Sequence, residues 1–294
     1  MFYRRKIILA LLQLFEGELE KIRLQKLLFL FTQLQQKAVY DFVLYKFGCY
    51  SFSVHADLTT MVKRGMLAEN ENFIKCNETT DYLKTLKESD KNQLQEIKKL
   101  YGKLSADNLV KHTYVNFPYW AIKSEKAESI LTGTELEKVN ISRPKSNKTI
   151  LFTFGYEGLS LEEYLNRLLK NDVKVLIDVR NNPLSMKYGF SKSLLKSFCE
   201  SLKIEYLHFP ELGIQSDQRQ ELNTQTDYDQ LFDDYCHNTL HNTQDIQKTI
   251  LKLLQQRKRI ALTCFEANIN QCHRKHLAEI IESLPGFKYE VKHI

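Results

Sequence analysis

Apolar residues recur at three- and four-residue spacing through RKIILALLQLF (5–15) and again through LEKIRLQKLLFLFTQLQQ (19–36), the period of amphipathic helices. YDFVLYKF (40–47) alternates and is rich in aromatics, which predicts a strand. SFSVHADLTTMVKRG (51–65) returns to helical spacing and stops on Gly65, and MLAENENFIKC (66–76) reads as a short hairpin turning at 69–72. Two more helical stretches, 79–101 and 105–122, complete this part of the chain. ISRPKSNKT (141–149) is polar and contains Pro144, the composition of a linker.

Beyond the linker the pattern changes to strand and helix in alternation. The strands are TILFTF, VKVLIDV, IEYLHFP and RIALTCF; the helices are SLEEYLNRLLKN, SKSLLKSFCESL, TQDIQKTILKLLQQR and HRKHLAEIIESL. Continuous apolar strands separated by helices predict a parallel sheet covered on both faces. A last short segment, FKYEVKHI, adds a strand at its edge. The expected architecture is therefore α/β: a mainly helical, winged-helix-like domain over 1–145, then a Rossmann-like parallel-sheet domain over 146–294.

Composition narrows the class. At 294 residues, with 43% hydrophobic and 27% charged residues, the chain has the length for two globular domains. The opening MFYRRKIILALLQLFEGELE superficially resembles a signal peptide. Its apolar stretch carries Gln13 and runs into Glu16, Glu18 and Glu20, so it reads instead as the first helix of a cytoplasmic protein with no membrane span. Six scattered cysteines make no disulfide framework.

Charge is unevenly divided. Residues 1–145 hold 23 Lys and Arg against 17 Asp and Glu, and the remainder hold 19 of each. The net +6 thus belongs to the first half, where it favours a phosphate-bearing partner. Helix, helix, strand, helix, hairpin is the order of a winged helix-turn-helix. In DLTTMVKRG, Leu58, Met61 and Val62 face inward, leaving Thr59, Thr60, Lys63 and Arg64 as candidate DNA contacts. A solvated face on a small helical domain is the alternative. IRLQKLLFLF followed by YKFGCYSFSVHADL resembles the Panacea-type antitoxin domain and the related SocA-like proteolytic adaptors, which carry an LQKLLY-type helix and a YxFGPYS-type turn. Cys49 stands here where that pattern favours proline. The resemblance covers about the first 75 residues and implies a macromolecular binding module, for DNA or for a protein partner.

In parallel α/β sheets ligands bind beyond the carboxyl ends of the strands, so the residues following each strand matter most. After the first come Gly155, Tyr156, Glu157 and Gly158, with Ser160 and Glu163 forming a capping box. After the second come Asp178, Arg180, Pro183 and Ser185; after the third, Glu211 and Gly213, with Arg219 further on. After the fourth come Cys264 and Glu266, then Cys272, His273 and Arg274 at the start of the last helix. Structural loops have no reason to agree on one edge, so this convergence marks a site. Each piece also has a structural reading: Asp178 and Arg180 as an ion pair, Ser185 as a cap, Glu211 and Arg219 as solvated loop charges.

TFGYEGLSLEEYL, LIDVRNNPLSMKYGFSK, YLHFPELG and LTCFEANINQCHR together resemble the family of domain of unknown function 488. That family runs in similar order through a TIGY-type start, a DVR…P.S…GFS stretch, an ELG and a C.E…..CHR ending. ELGI departs from members with a second glycine and basic residues; Arg219 stands a few residues later here. The resemblance covers nearly all of residues 149–281 and implies a Rossmann-like domain, without supplying a reaction.

Three chemistries compete at the Cys-His-Arg ending. Zinc would draw on Cys264, Cys272 and His273, with Glu266 or Asp178. Against it, C-x7-C is not a zinc-ribbon or zinc-finger spacing, and adjacent Cys and His at a helix start rarely turn to one ion. A thiolate nucleophile would be Cys272, beside a helix N-terminus and two basic residues. An anion cradle would use Arg180, Arg274 and the helix N–H groups, with Gly155, Tyr156, Gly158, Ser185, Glu211 and Arg219 around the ligand. Asp178, Glu266 or His273 would then act as acid or base.

The leading expectation is the cradle, with no cofactor. In that reading a DNA-associated protein binds a nucleotide-like or phosphorylated ligand in its C-terminal domain and hydrolyses a nucleic-acid or nucleotide substrate, in repair or anti-phage defence. The rivals are a non-enzymatic regulator sensing ligand, metal or redox state, and a toxin–antitoxin-related protein.

Overall fold

The computed structural model describes residues 1–215, 218, 222 and 224–294. The chain divides into two compact units, Met1–Arg143 and Pro144–Ile294.

The first unit begins with α1 (Tyr3–Leu14), β1 (Glu18–Glu20), α2 (Lys21–Leu34), β2 (Val43–Tyr45), β3 (Gly48–Tyr50) and α3 (Phe52–Lys63). It continues through β4 (Leu67–Glu69), β5 (Phe73–Cys76), α4 (Glu88–Tyr101), α5 (Ala106–Asn116), α6 (Ala127–Ile130) and α7 (Gly133–Ile141). β1, β5 and β4 lie side by side in that order as an antiparallel sheet. The apolar faces read from the sequence form the core: Ile8, Leu11 and Leu12 of α1 are buried together with Leu24, Leu27, Leu28 and Phe31 of α2.

Local chemistry explains where these elements differ from the sequence pattern. The strand expected over 40–47 is cut to three residues because the chain turns at Lys46 and Phe47 and returns from Gly48 as β3, making a hairpin. Gly48 has φ +85°, and a Cβ there would lie 2.5 Å from the Tyr114 ring, so only glycine fits. The helix expected over 79–101 begins only at Glu88, since Gln13 accepts the amide of Tyr82 and holds 79–87 as a loop with one 3-10 turn, Leu83–Thr85. Pro118 divides the helix expected over 105–122 into α5 and one short turn. Ser51 caps α3 by accepting the amide of Val54 at 3.2 Å. Asp57, on the buried face of α3, receives Arg4 and Arg5 at 2.6 and 2.7 Å and Tyr40 at 2.9 Å. That fixes the rotation of α3, with Leu58 and Met61 inward and Lys63 and Arg64 exposed.

The second unit runs β6 (Ile150–Gly155), α8 (Leu161–Lys170), β7 (Val175–Asp178), α9 (Lys192–Ser201) and β8 (Glu205–His208). Then come α10 (Gln225–Asp234), a π-helical turn at Tyr235–Leu240, α11 (Gln244–Arg257), β9 (Arg259–Cys264), α12 (Arg274–Ser283) and β10 (Glu290–His293). Among the described residues the five strands form one parallel sheet in the order β10-β6-β9-β7-β8. Every residue of β6, β7 and β9 is buried, which accounts for their unbroken apolar runs. FKYEVKHI supplies the edge strand β10, paired parallel to β6. Among the described residues, no helix is long and apolar enough to cross a membrane.

Candidate functional site

Register brings the carboxyl ends of the strands into one row. Gly155 of β6 stands beside Cys264 of β9, Thr263 beside Asp178 of β7, and Asp178 beside His208 of β8. The chain passes from β6 to β7 across the position that β9 later fills, so this row is where strand order reverses.

At its centre Arg180 folds back onto Asp178 through both carboxylate oxygens, Nε to Oδ1 at 2.8 Å and Nη2 to Oδ2 at 2.5 Å. Its Nη1 donates to the Tyr156 hydroxyl at 2.7 Å and the Phe190 carbonyl at 2.9 Å. Tyr206 donates to Asp178 Oδ2 at 2.6 Å. Asp178 is fully buried and Arg180 nearly so. Burial works against the guanidinium charge, but Asp178 and Tyr156 outweigh it and hold the Arg180 pKa above its ordinary value. Tyr206 is pushed up by burial and by the Asp178 charge beside it. The pair expected to offer a base and an anion ligand is thus mutually engaged. Its geometry fixes the row of strand ends.

Arg274 behaves similarly. It is 2% exposed and donates to the carbonyls of Glu266 at 2.6 Å and Ala267 at 3.3 Å. The loop it holds is pinned from the other side as well. The amides of Tyr156 and Glu157 both donate to the Phe265 carbonyl, and Glu157 accepts the amide of Ala267 at 2.9 Å. Gly155 permits this approach: a Cβ there would sit 1.9 Å from the Glu266 carbonyl oxygen. Gly213 does the same for the ELG turn, where a Cβ would meet the Asn181 amide nitrogen at 2.0 Å. Both motif glycines therefore serve close backbone contacts. Gly158 takes φ +76° in the turn before α8, which Ser160 caps.

A cavity of about 330 Å³ opens on this edge. Tyr156, Arg180, Ser185 and Cys264 line it, joined by Asn181, Asn182, Leu184, Met186, Ile214 and Phe265. Tyr156 stacks on Phe190 with ring centres 4.2 Å apart, and burial raises its pKa although Arg180 opposes the shift. Leu184, Met186 and Phe265 are exposed, Met186 completely, and so is Asn182, while Asn181 and Ser185 are half-buried, so the mouth sets apolar side chains beside amides and a hydroxyl. Glu211 is exposed on the turn 210–212 and does not line the cavity. Arg219 lies outside the described residues.

Deeper in the same edge Cys264, Cys272 and His273 are all buried, and their ligand atoms lie within 4.8 Å of one another. Adjacent Cys272 and His273 do face one point, contrary to the expectation drawn from their spacing. The Cys264 thiol donates to Glu266 Oε2 at 3.1 Å and lies 3.8 Å from His273 Nδ1. His273 Nε2 is 3.0 Å from the Val179 carbonyl, and the Tyr235 ring meets the imidazole edge-on at 5.4 Å. Burial first, then the neighbouring Cys264, pushes the Cys272 thiol well above the ordinary range, although Arg274 opposes this. A poised Cys272 thiolate is therefore not what this environment favours.

Sequence reasoning missed Tyr206, His208 and Phe190, which complete the Asp178–Arg180 network; His208 Nε2 lies 2.8 Å from the Arg180 carbonyl. The available signal was period two in β8, which puts Tyr206 and His208 on one face. The candidate DNA contacts belong to the first unit. Thr59 and Thr60 turn their hydroxyls back onto the carbonyls of His55 and Ala56.

Residues 160–281 match the family model described as Domain of unknown function DUF488, so the earlier resemblance holds over that segment. No curated protein matches the chain.

Proposed function

We propose that the unit carrying the DUF488 match binds a nucleotide-like ligand at the carboxyl edge of its sheet, and that the protein hydrolyses a nucleotide or nucleic-acid substrate there. One observation carries the reading: the cavity pairs an apolar rim of Leu184, Met186 and Phe265 with the polar groups of Asn181, Asn182 and Ser185. A flat heteroaromatic ring with polar edges matches that combination, and the switch point of a parallel sheet is where such ligands bind. Asp178 is engaged by Arg180 and Tyr206, which leaves Glu266, half-buried beside the cavity residue Cys264 whose thiol it accepts, as the carboxylate to take a proton from water.

The first unit fits a winged helix in this reading. Its helix–strand–helix–helix–strand–strand order carries a β2–β3 hairpin inserted before α3, and its sheet order is β1-β5-β4. α3 then serves as the recognition helix, with Thr59, Thr60, Lys63 and Arg64 toward DNA and the β4–β5 turn as the wing. The positive balance of residues 1–145 supports a phosphate-bearing partner. The Panacea-type resemblance leaves a protein partner as the alternative for the same face.

Calorimetric titration of the full chain with nucleosides, nucleotides and short DNA duplexes tests this, followed by mass spectrometry of the products. The expected result is saturable binding that Ser185→Trp abolishes by filling the cavity. Absence of binding and turnover across the panel removes the reading.

A further inference from the structure

We infer that Cys264 Sγ, Cys272 Sγ and His273 Nδ1 form a three-ligand site for a zinc-like divalent cation, with the fourth position open toward Glu266 and the cavity. The three ligand atoms come from two elements meeting in space, the end of β9 and the start of α12, and lie within 4.8 Å of one another. Two sulfurs and an imidazole nitrogen are the donor set that selects zinc over magnesium or calcium.

The tautomer of His273 follows from its partner. A carbonyl oxygen only accepts, so the contact to Val179 puts the ring proton on Nε2 and leaves Nδ1 as the base facing Cys264. A metal-bound histidine characteristically donates its other ring N–H to such a carbonyl, which sets ring orientation and basicity. The Tyr235 ring holds the imidazole from the side.

Four donor atoms converge here: two sulfurs, Nδ1 and Glu266 Oε2. A divalent cation held by two thiolates is balanced in charge by its own ligands, and its binding displaces both thiol protons. Cys264 also lines the cavity, so the ion would lie at its inner wall.

The inference does not depend on nucleotide binding, because metal content is read without a substrate. The experiment is elemental analysis of the full chain purified without chelator, followed by replacement with cobalt(II). The expected result is one equivalent of zinc per chain, and a cobalt form with intense sulfur-to-metal charge-transfer absorption and tetrahedral ligand-field bands. Cys272→Ser and His273→Gln should each lose the ion while far-ultraviolet circular dichroism stays unchanged. Glu266→Gln should keep both the metal and the thiolate absorption; loss of metal there would overturn the open fourth position. Substoichiometric zinc after refolding with excess zinc, with no cobalt–thiolate absorption, overturns the site. So does recovery of the purified protein as a Cys264–Cys272 disulfide. Stoichiometric zinc without nucleotide binding would uphold the site and remove only the nucleotide reading.

Discussion

Arg180 holds Asp178 through both carboxylate oxygens, and neither residue has appreciable access to water. A buried pair broken from one side leaves an uncompensated charge, at a cost of about 3–5 kcal/mol. Asp178→Asn and Arg180→Ala should therefore each lower the stability of the second unit by that order, seen as a lower urea midpoint. Arg180→Lys should not rescue it, because an ammonium cannot reproduce the planar fork that also reaches Tyr156 and Phe190. Equilibrium unfolding of the three variants reads this; wild-type midpoints would show that the pair is not structural.

Gly155→Ala and Gly213→Ala test the two close backbone approaches. Each added methyl meets backbone within about 2 Å, and backbone cannot swing aside as a side chain can. Both should lower stability by roughly 1–3 kcal/mol, the usual cost of overpacking. Gly155→Ala should also weaken metal uptake, since Gly155 pairs with the ligand Cys264 and the added methyl displaces the backbone that follows it. Thermal unfolding and metal analysis separate the two variants, and equal metal content in both would count against that link.

Alkali acts on the first unit through Tyr114, which is fully buried and bonded to Ser124 at 2.6 Å. Burial pushes its pKa up from 10.0 to about 12. A raised folded-state value means that the native protein holds the proton more tightly, so this contribution is whole below pH 10 and is lost as pH rises toward 12. The loss approaches about 3 kcal/mol at most. Tyr114→Phe should flatten that decline while leaving stability near neutral pH little changed, as read by urea midpoints across the alkaline range.

DNA binding through α3 predicts a particular salt dependence. Lys63→Gln with Arg64→Gln removes two exposed cations without touching Asp57, which anchors the opposite face. The slope of log affinity against log salt should become shallower by about one unit per lost phosphate contact. Fluorescence anisotropy on a duplex over a salt series measures it, and an unchanged slope would place any DNA contact elsewhere.

Legibility differed between the two units for a physical reason. In the second, each strand is buried on both faces and each helix on one, so periodicity alone announced the order β6-α8-β7-α9-β8 and the edge strand β10. α10 and the π turn at Tyr235 were not read, because QTDYDQLFDD offers few apolar positions. In the first unit, the β2–β3 turn depends on Tyr114, sixty-odd residues away, and no local pattern contains that contact. The same limit applies to the site. Strand-end position marked Asp178, Arg180, Glu266 and Arg274 as neighbours, but side-chain direction decides what each does. Arg180 and Arg274 turn inward, one to a carboxylate and the other to two carbonyls. Cys272 and His273, adjacent residues of a kind that rarely turns to one ion, meet where the chain at Cys272 is extended (φ −136°) just before α12 begins.

The placement of β9 between β6 and β7 has a kinetic consequence. Ile150 pairs with Arg259 and Val175 with Ile260, so the earlier strands wait for the last part of the chain before they acquire a shared neighbour. Closing loops of that length carries an entropic cost that delays the transition state. During synthesis the first unit can fold on its own contacts while β6 has no sheet neighbour and β7 has only β8. The interval before residue 264 is made is therefore when this chain has greatest need of a chaperone, and a ribosomal pause before β9 would lower its yield more than one after it.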